Sequence, residues 1–341
     1  MKTEILSARA DLPEMKYRSA IAEAVDTLKK NLPAALPSET VYGLAANALH
    51  PQAVAKIFEA KERPLSDPLI VHVADFVTMK RLVSEQLPEE LSNLIQRLAT
   101  AFWPGPLTFI LPRSGEVPDL VTAGQDTVAI RCPAHPVFQD VLKTCGFPLA
   151  APSANRFGRI SPTSAAAVYV ELQGRIPLVL DGGDCERGVE STIIFPRRIA
   201  ANAPEISLQI LRHGPITAEA LSAFAPIFTS SKKGDLPTAP GSLASHYAPR
   251  TPFHLLGKSP IPAHWQNCGL LAWDKKFLSL RNFVAVEYLS PGLDLCEAAV
   301  NLYRAMRLLD DLHLDGICAE PLPEIGIGCA IMDRLRRASH V

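Results

Sequence analysis

The strongest constraint on the fold is an alternation of two periods, in which stretches with apolar residues at helical spacing are followed by short, continuous apolar runs. Residues 19–28 place Ile21, Ala24, Val25 and Leu28 on one helical face, and 34–36 then run as a strand into Pro37. Residues 53–61 predict a helix stopped by Pro64, and 68–73 a buried strand. The same grammar predicts helices over 87–101, 136–144 and 164–172, with strands at 107–111, 128–131, 148–151, 178–180 and 192–195. Such an alternation folds as a mixed α/β sheet body of about 200 residues.

Residues 230–241 break the pattern, being polar, rich in Lys, Pro and Gly, and without either period. Strands are expected again at 269–273, 283–288 and 315–319. A helix over 295–312 carries Leu295, Ala298, Leu302, Ala305 and Leu309 on one face, and a basic helix covers 330–337. This is the pattern of a second, smaller α/β body joined by a linker. Thirty prolines, roughly twice the usual share of about 5%, stiffen the connections without implying disorder, because they are dispersed among apolar runs.

Lys and Arg number 34 against 35 Asp and Glu, so any basic site must be local, and a nucleic-acid coat or membrane-surface binder is disfavoured. The acidic start lacks an apolar signal core, and no run of roughly 18 apolar residues occurs; a soluble, cytoplasmic protein is expected. Seven cysteines without a C-x-x-C pair read as buried free thiols in a reducing compartment. P-loop, G-x-G-x-x-G, G-x-S-x-G, H-E-x-x-H and EF-hand patterns are absent, so no protein-held metal is expected.

Polar and basic residues instead gather at the ends of the short strands, where open α/β sheets bind ligands. They fall in Pro37–Leu44, Lys61-Glu62-Arg63-Pro64, the strand carrying His72, Trp103–Thr108, 127–131, Pro152-Ser153-Ala154-Asn155, Asp181-Gly182-Gly183, Gly188–Thr192 and Leu211–Gly214. Lys61, Arg63, Arg131 and Arg212 are four candidate cations for a polyanion such as a triphosphate. Singly, each segment has an ordinary explanation: a solvated helix end, a core histidine, an Asx turn or a rigid corner. From the residues alone the reading is an α/β enzyme acting on an anionic substrate.

In combination, PSETVYGL, KERP with PLIVHV, WPGPLT, DTVAIRCP, APSAN, DGG, GVEST and LRHG follow the order and spacing of the YrdC-like family. The chain thus resembles that family, and APGSLASHYAP followed by a segment ending in GIGCAIMDRLRRAS resembles its longer, two-domain branch. The resemblance implies a twisted mixed sheet with a central cavity over 1–228, a linker closing over the active site at 229–250, and a C-terminal Rossmann-like α/β domain over 251–341. It implies synthesis of a threonylcarbamoyl adenylate from L-threonine, bicarbonate or CO2 and ATP, with release of pyrophosphate.

By motif matching, Lys61 and Arg63 would be catalytic, and Thr40, His72, Arg131 and Ser191 would surround L-threonine. Arg63, Asp67, Thr127, Ser153, Asn155, Ser161, Arg212 and Tyr247 would handle ATP, with Mg²⁺ held by its phosphates. An acidic Asp67 beside phosphates needs that magnesium between them. The product would pass to a tRNA threonylcarbamoyltransferase complex. Direct RNA binding and carbamoyl transfer from carbamoyl phosphate are the competing readings. The balanced charge and lack of basic runs argue against the first, and the missing acylphosphatase-like and zinc-finger segments against the second.

Overall fold

The computed structural model describes residues 1–198, 206–228, 239–241, 246–257, 259–274 and 277–339. Of the expected linker, 229–238 and 242–245 lie outside the described residues. Ten strands form the first sheet: β1 (Glu4–Ser7), β2 (Ala34–Leu36), β3 (Gly43–Asn47), β4 (Ile70–His72), β5 (Leu107–Pro112), β6 (Thr127–Arg131), β7 (Leu149–Ala150), β8 (Leu178–Asp181), β9 (Thr192–Arg198) and β10 (Ile206–Arg212). Their order is β1-β8-β2-β3-β7-β4-β6-β5-β9-β10, with parallel and antiparallel neighbours mixed. A second, wholly parallel sheet has the order β11-β14-β12-β13, from β11 (Phe253–Leu255), β12 (Cys268–Ala272), β13 (Ala285–Tyr288) and β14 (Gly316–Ala319).

Strand alternation divides the two faces of the first sheet. Val71, Phe109, Ile130 and Ile194 point into a core closed by Ala53, Val54, Ile57 and Phe58 of helix Pro51–Lys61 and by Ile95 and Leu98 of helix Glu89–Phe102. Ile70, Ile110, Ala129 and Ile193 form a smaller apolar patch on the opposite face, capped by Ala239 of the linker. His72, Thr108 and Arg131 share that second face by period two, so the site is built on the side of the sheet the linker covers.

Helices Leu295–Asp310 and Gly328–Ala338 cover the second sheet. Their core is not private to it, because Val41, Ile160 and Val189 of the first body join Leu302, Tyr303, Met306 and Leu335 in one buried cluster.

Candidate active site

Sheet register assembles the centre. His72 on β4 lies opposite Arg131 on β6, and Thr108 on β5 lies opposite Arg131 from the other side. Arg131 is 4% exposed, and its guanidinium is held on three sides: Nε donates to Gly105 O at 3.2 Å, Nη1 to Thr40 Oγ1 at 2.9 Å, and Nη2 pairs with Glu39 Oε1 at 2.6 Å. The Gly105 carbonyl is delivered by the Trp-Pro-Gly-Pro turn, in which the Trp103–Pro104 bond is cis and Trp103 Nε1 donates to Leu107 O at 2.7 Å. Thr40 is set by a hydroxyl turn, where Ser38 Oγ accepts from Thr40 N at 3.2 Å and donates to Val41 O at 2.5 Å.

His72 is buried, stacks on Phe138 with ring centroids 5.0 Å apart, and its Nδ1 has no partner within the protein. Burial, reinforced by the Arg131 charge, pulls its pKa down to about 3. A ring held neutral in this way orients and excludes water rather than donating a proton near neutrality.

Two further cations approach the same space. Helix Pro51–Lys61 ends on Glu62 in the left-handed region, φ 55°, which turns the chain so that Arg63 reaches inward. Arg63 donates to Asp67 O at 3.2 Å and Pro68 O at 2.7 Å and pairs with the Asp67 carboxylate at 3.0 Å. Arg212, at the end of β10, donates to Ser191 O at 3.0 Å, Ser191 Oγ at 3.0 Å and Pro240 O at 3.2 Å, and Thr108 shares the Ser191 hydroxyl at 2.7 Å. Burial lowers the pKa of both guanidinium groups from the ordinary arginine value, so each is a poorly hydrated cation suited to an anion.

Of the expected site residues, Thr40, Arg63, His72, Arg131, Ser153, Ser191, Arg212 and Tyr247 line one narrow cavity of about 50 Å³, with Glu190 in its wall and Pro240, Gly241, His246 and Tyr247 as its roof. Lys61, Asp67, Asn155 and Ser161 stand behind it. Lys61 Nζ donates to Ser153 O and Asn155 O, both at 2.5 Å, clamping the Ser-Ala-Asn loop, and burial, then Arg63, hold its pKa well below the usual lysine range. Asn155 Nδ2 donates to Arg156 O at 2.8 Å and Arg159 O at 2.9 Å, while Ser161 Oγ donates to Glu190 Oε1 at 2.6 Å. Asp67 is engaged with Arg63 rather than facing the cavity, which removes the repulsion expected of a carboxylate among phosphates.

Thr127 is the expected ATP residue that the fold does not bring to the cavity. It opposes Pro112 at the far end of β6, four residues and hence about 13 Å from Arg131. Sequence reasoning passed over Glu190 within Gly-Val-Glu-Ser-Thr, His246 beside Tyr247 and Arg334 within the closing basic segment, and over Tyr303, which carries no local signal. Among the described residues, no three His, Cys, Asp or Glu side chains are grouped to hold a metal ion.

Residues 26–214 match the Sua5, YciO and YrdC family model, described as telomere recombination, and 216–340 match one described as threonylcarbamoyl-AMP synthase, C-terminal domain. Threonylcarbamoyl-AMP synthase of Bacillus subtilis is 40% identical over 333 residues, covering 94% of this chain and 92% of that protein. The chain belongs to the threonylcarbamoyl-AMP synthase family. A second relative of that name, from Pyrococcus abyssi, is 37% identical over 99% of this chain and 98% of its own length. The crystal structure of P. abyssi Sua5 complexed with L-threonine superposes with a TM-score of 0.83 at 36% identity, covering 99% of this chain and 98% of that one. The fold is thus shared with that structure along nearly the whole chain.

Proposed function

We propose that the chain condenses L-threonine, bicarbonate or CO2 and ATP into L-threonylcarbamoyladenylate and pyrophosphate. The observation that carries the reading is one buried cavity in which a forked Arg131, flanked by Thr40 and His72, stands with the phosphate-suited Arg63 and Arg212. Arg131 retains N–H groups beyond those given to Gly105, Thr40 and Glu39, and a planar fork suits an amino-acid carboxylate. The threonine amine would take up CO2 as a carbamate, and a carbamate oxygen would attack the α-phosphorus of ATP, expelling pyrophosphate.

No covalent enzyme intermediate is needed, so catalysis rests on positioning and charge neutralisation. Arg63 and Arg212 would neutralise the phosphates together with Mg²⁺ carried in by ATP. Lys61, by fixing Ser153 and Asn155, would shape the loop beneath them. The roof residues Pro240, Gly241, His246 and Tyr247 would shield a labile mixed anhydride from water.

The cavity of about 50 Å³ is well below the 300 to 1,000 Å³ usual for small-molecule sites, so admitting ATP requires the roof to lift. The product would then serve a downstream tRNA threonylcarbamoyltransferase complex in the cytoplasm. No helix among the described residues is long and apolar enough to cross a membrane.

The deciding experiment is pyrophosphate release from ATP by the full chain, with L-threonine and bicarbonate each present or omitted and serine as a control. Release that needs both co-substrates is expected. ATP left intact under every condition would sink the reading.

A further inference from the structure

Arg334, in the last helix, is 0% exposed. Its Nε donates to Glu190 Oε2 at 2.8 Å, its Nη1 to Asp333 Oδ2 at 2.7 Å, and its guanidinium lies over the Tyr247 ring, 5.1 Å from the centroid. The Glu190 carboxylate also accepts from Ser161 Oγ at 2.6 Å and from Tyr303 OH at 3.0 Å. One fork from the second body therefore grips three separate segments: its own helix, the Gly-Val-Glu-Ser-Thr strand entry, and the linker roof.

A buried ion pair of this kind is weak evidence for stability, because apolar side chains of similar volume often serve as well. Its distinctive property is geometric, since a planar fork accepts few arrangements of its partners. What it fixes here adjoins the chemistry. Glu190 and Tyr247 both line the cavity, and Ser191, next in sequence, carries the hydroxyl and carbonyl that hold Arg212. Tyr247 OH and Arg212 Nη1 meet at Gly241, φ 78°, where a Cβ would come within 2.6 Å of the first and 3.5 Å of the second. Of the groups expected around L-threonine, Ser191 belongs to this network, whereas Arg131 is held by Gly105, Thr40 and Glu39.

We propose that Arg334 is a positioning residue for the reaction: it locks Glu190 and Tyr247 against the Arg212 side of the cavity, so that the second body completes the nucleotide half of the site. The inference rests on the proposed synthase reaction for what the cavity binds. It predicts a split between the two substrates. In the full chain, Arg334→Met lowers kcat/KM for ATP in pyrophosphate release by about 100-fold, the scale of a misplacement of about 1 Å. The L-threonine Kd, by calorimetric titration, weakens by less, about tenfold at most, because Arg131 keeps its own partners and only Ser191 is shared with the Arg212 side. Arg334→Lys keeps the charge without the fork and recovers only part of the loss.

Unchanged ATP kinetics in Arg334→Met would overturn the proposal. So would a parallel loss of threonine affinity and urea midpoint, which a merely structural role would give. Glu190→Gln combined with Arg334→Met provides a further check, since wild-type ATP kinetics in that double variant would mean that Arg334 only neutralises Glu190. Should the wild-type chain release no pyrophosphate, hydrogen exchange at the Ala248 amide, which donates to Gly158 O at 2.8 Å, still decides. Faster exchange in Arg334→Met supports the locking of the roof, and an unchanged rate refutes it.

Discussion

Arg131 distributes its guanidinium over Gly105, Thr40 and Glu39, and that fixed orientation is what a bound carboxylate would meet. In Arg131→Lys a point charge can still satisfy Glu39 but cannot reach Thr40, Gly105 and a carboxylate together. Losing charge-assisted hydrogen bonds worth about 2 to 3 kcal/mol should weaken L-threonine about 100-fold while ATP affinity is retained. Calorimetric titration of each substrate checks this, and equal weakening of both would contradict it. His72 and His246 supply a second residue-level expectation. Both are pulled by burial to a pKa of about 3, against an unfolded value near 6.5, although Glu190 partly opposes the shift at His246. Above pH 6.5 both states are neutral and nothing changes. As pH falls from 6.5 towards 3 the unfolded chain takes up protons that the folded chain refuses, so stability drops, by about 2 kcal/mol for the pair between pH 6.5 and 5.5. Urea unfolding of wild type and of His72→Asn/His246→Asn at those two pH values should show the variant with the flatter dependence; identical slopes would remove these histidines from the account.

At the scale of elements, the loop before β9 meets helix Leu295–Asp310 at Gly188, whose φ is 69°. A Cβ there would strike Ala299 O and Val300 Cα, backbone atoms that cannot swing aside. Gly188→Ala should therefore cost about 2 to 4 kcal/mol in chemical denaturation and depress pyrophosphate release, because the same loop leads into Glu190 and Ser191. A variant of wild-type stability would show that the helix can retreat. Elements with a strong local period were legible in the sequence: helices such as Glu14–Lys29, Pro51–Lys61 and Leu295–Asp310, and strands such as β5, β6 and β12. Three strands escaped because their residues say little. β1 is largely exposed, β3 is mostly glycine and alanine, and β11 spans only Phe253–Leu255. The alternation of Ile206, Leu208 and Ile210 in β10 was available and unused. Local motifs pointed to most of the cavity lining, yet the opposition of His72 and Arg131 is a property of register, and the meeting of Glu190 with Arg334 joins positions 144 residues apart. Neither leaves a periodic trace. Thr127 shares β6 with Arg131 but lies at its other end, a separation that register and not the motif makes visible.

For the molecule as a whole, the question is whether the two sheets behave as separate units. Inter-domain contacts within a chain commonly permit relative motion unless they are large and apolar. Here Val41, Ile160 and Val189 are buried in the same cluster as Leu302, Tyr303 and Leu335, and Arg307 of the second body pairs with Glu171 at 3.3 Å and donates to the Ile160 carbonyl of the first. Glu190 places a carboxylate of the first body inside that contact, held by Tyr303 and Arg334, so separating the bodies would leave buried charge unpaired. Local opening should accordingly be confined to the roof over the cavity, while global unfolding engages both sheets together. Differential scanning calorimetry of the full chain is expected to give one transition with calorimetric and van't Hoff enthalpies in agreement. Saturating L-threonine should move that whole transition upward, because a ligand held by the first body stabilises everything that unfolds with it. Two resolved transitions, with only the first responding to L-threonine, would mean that the second sheet folds independently and that its hold on Glu190 and Tyr247 is broken without cost to the rest.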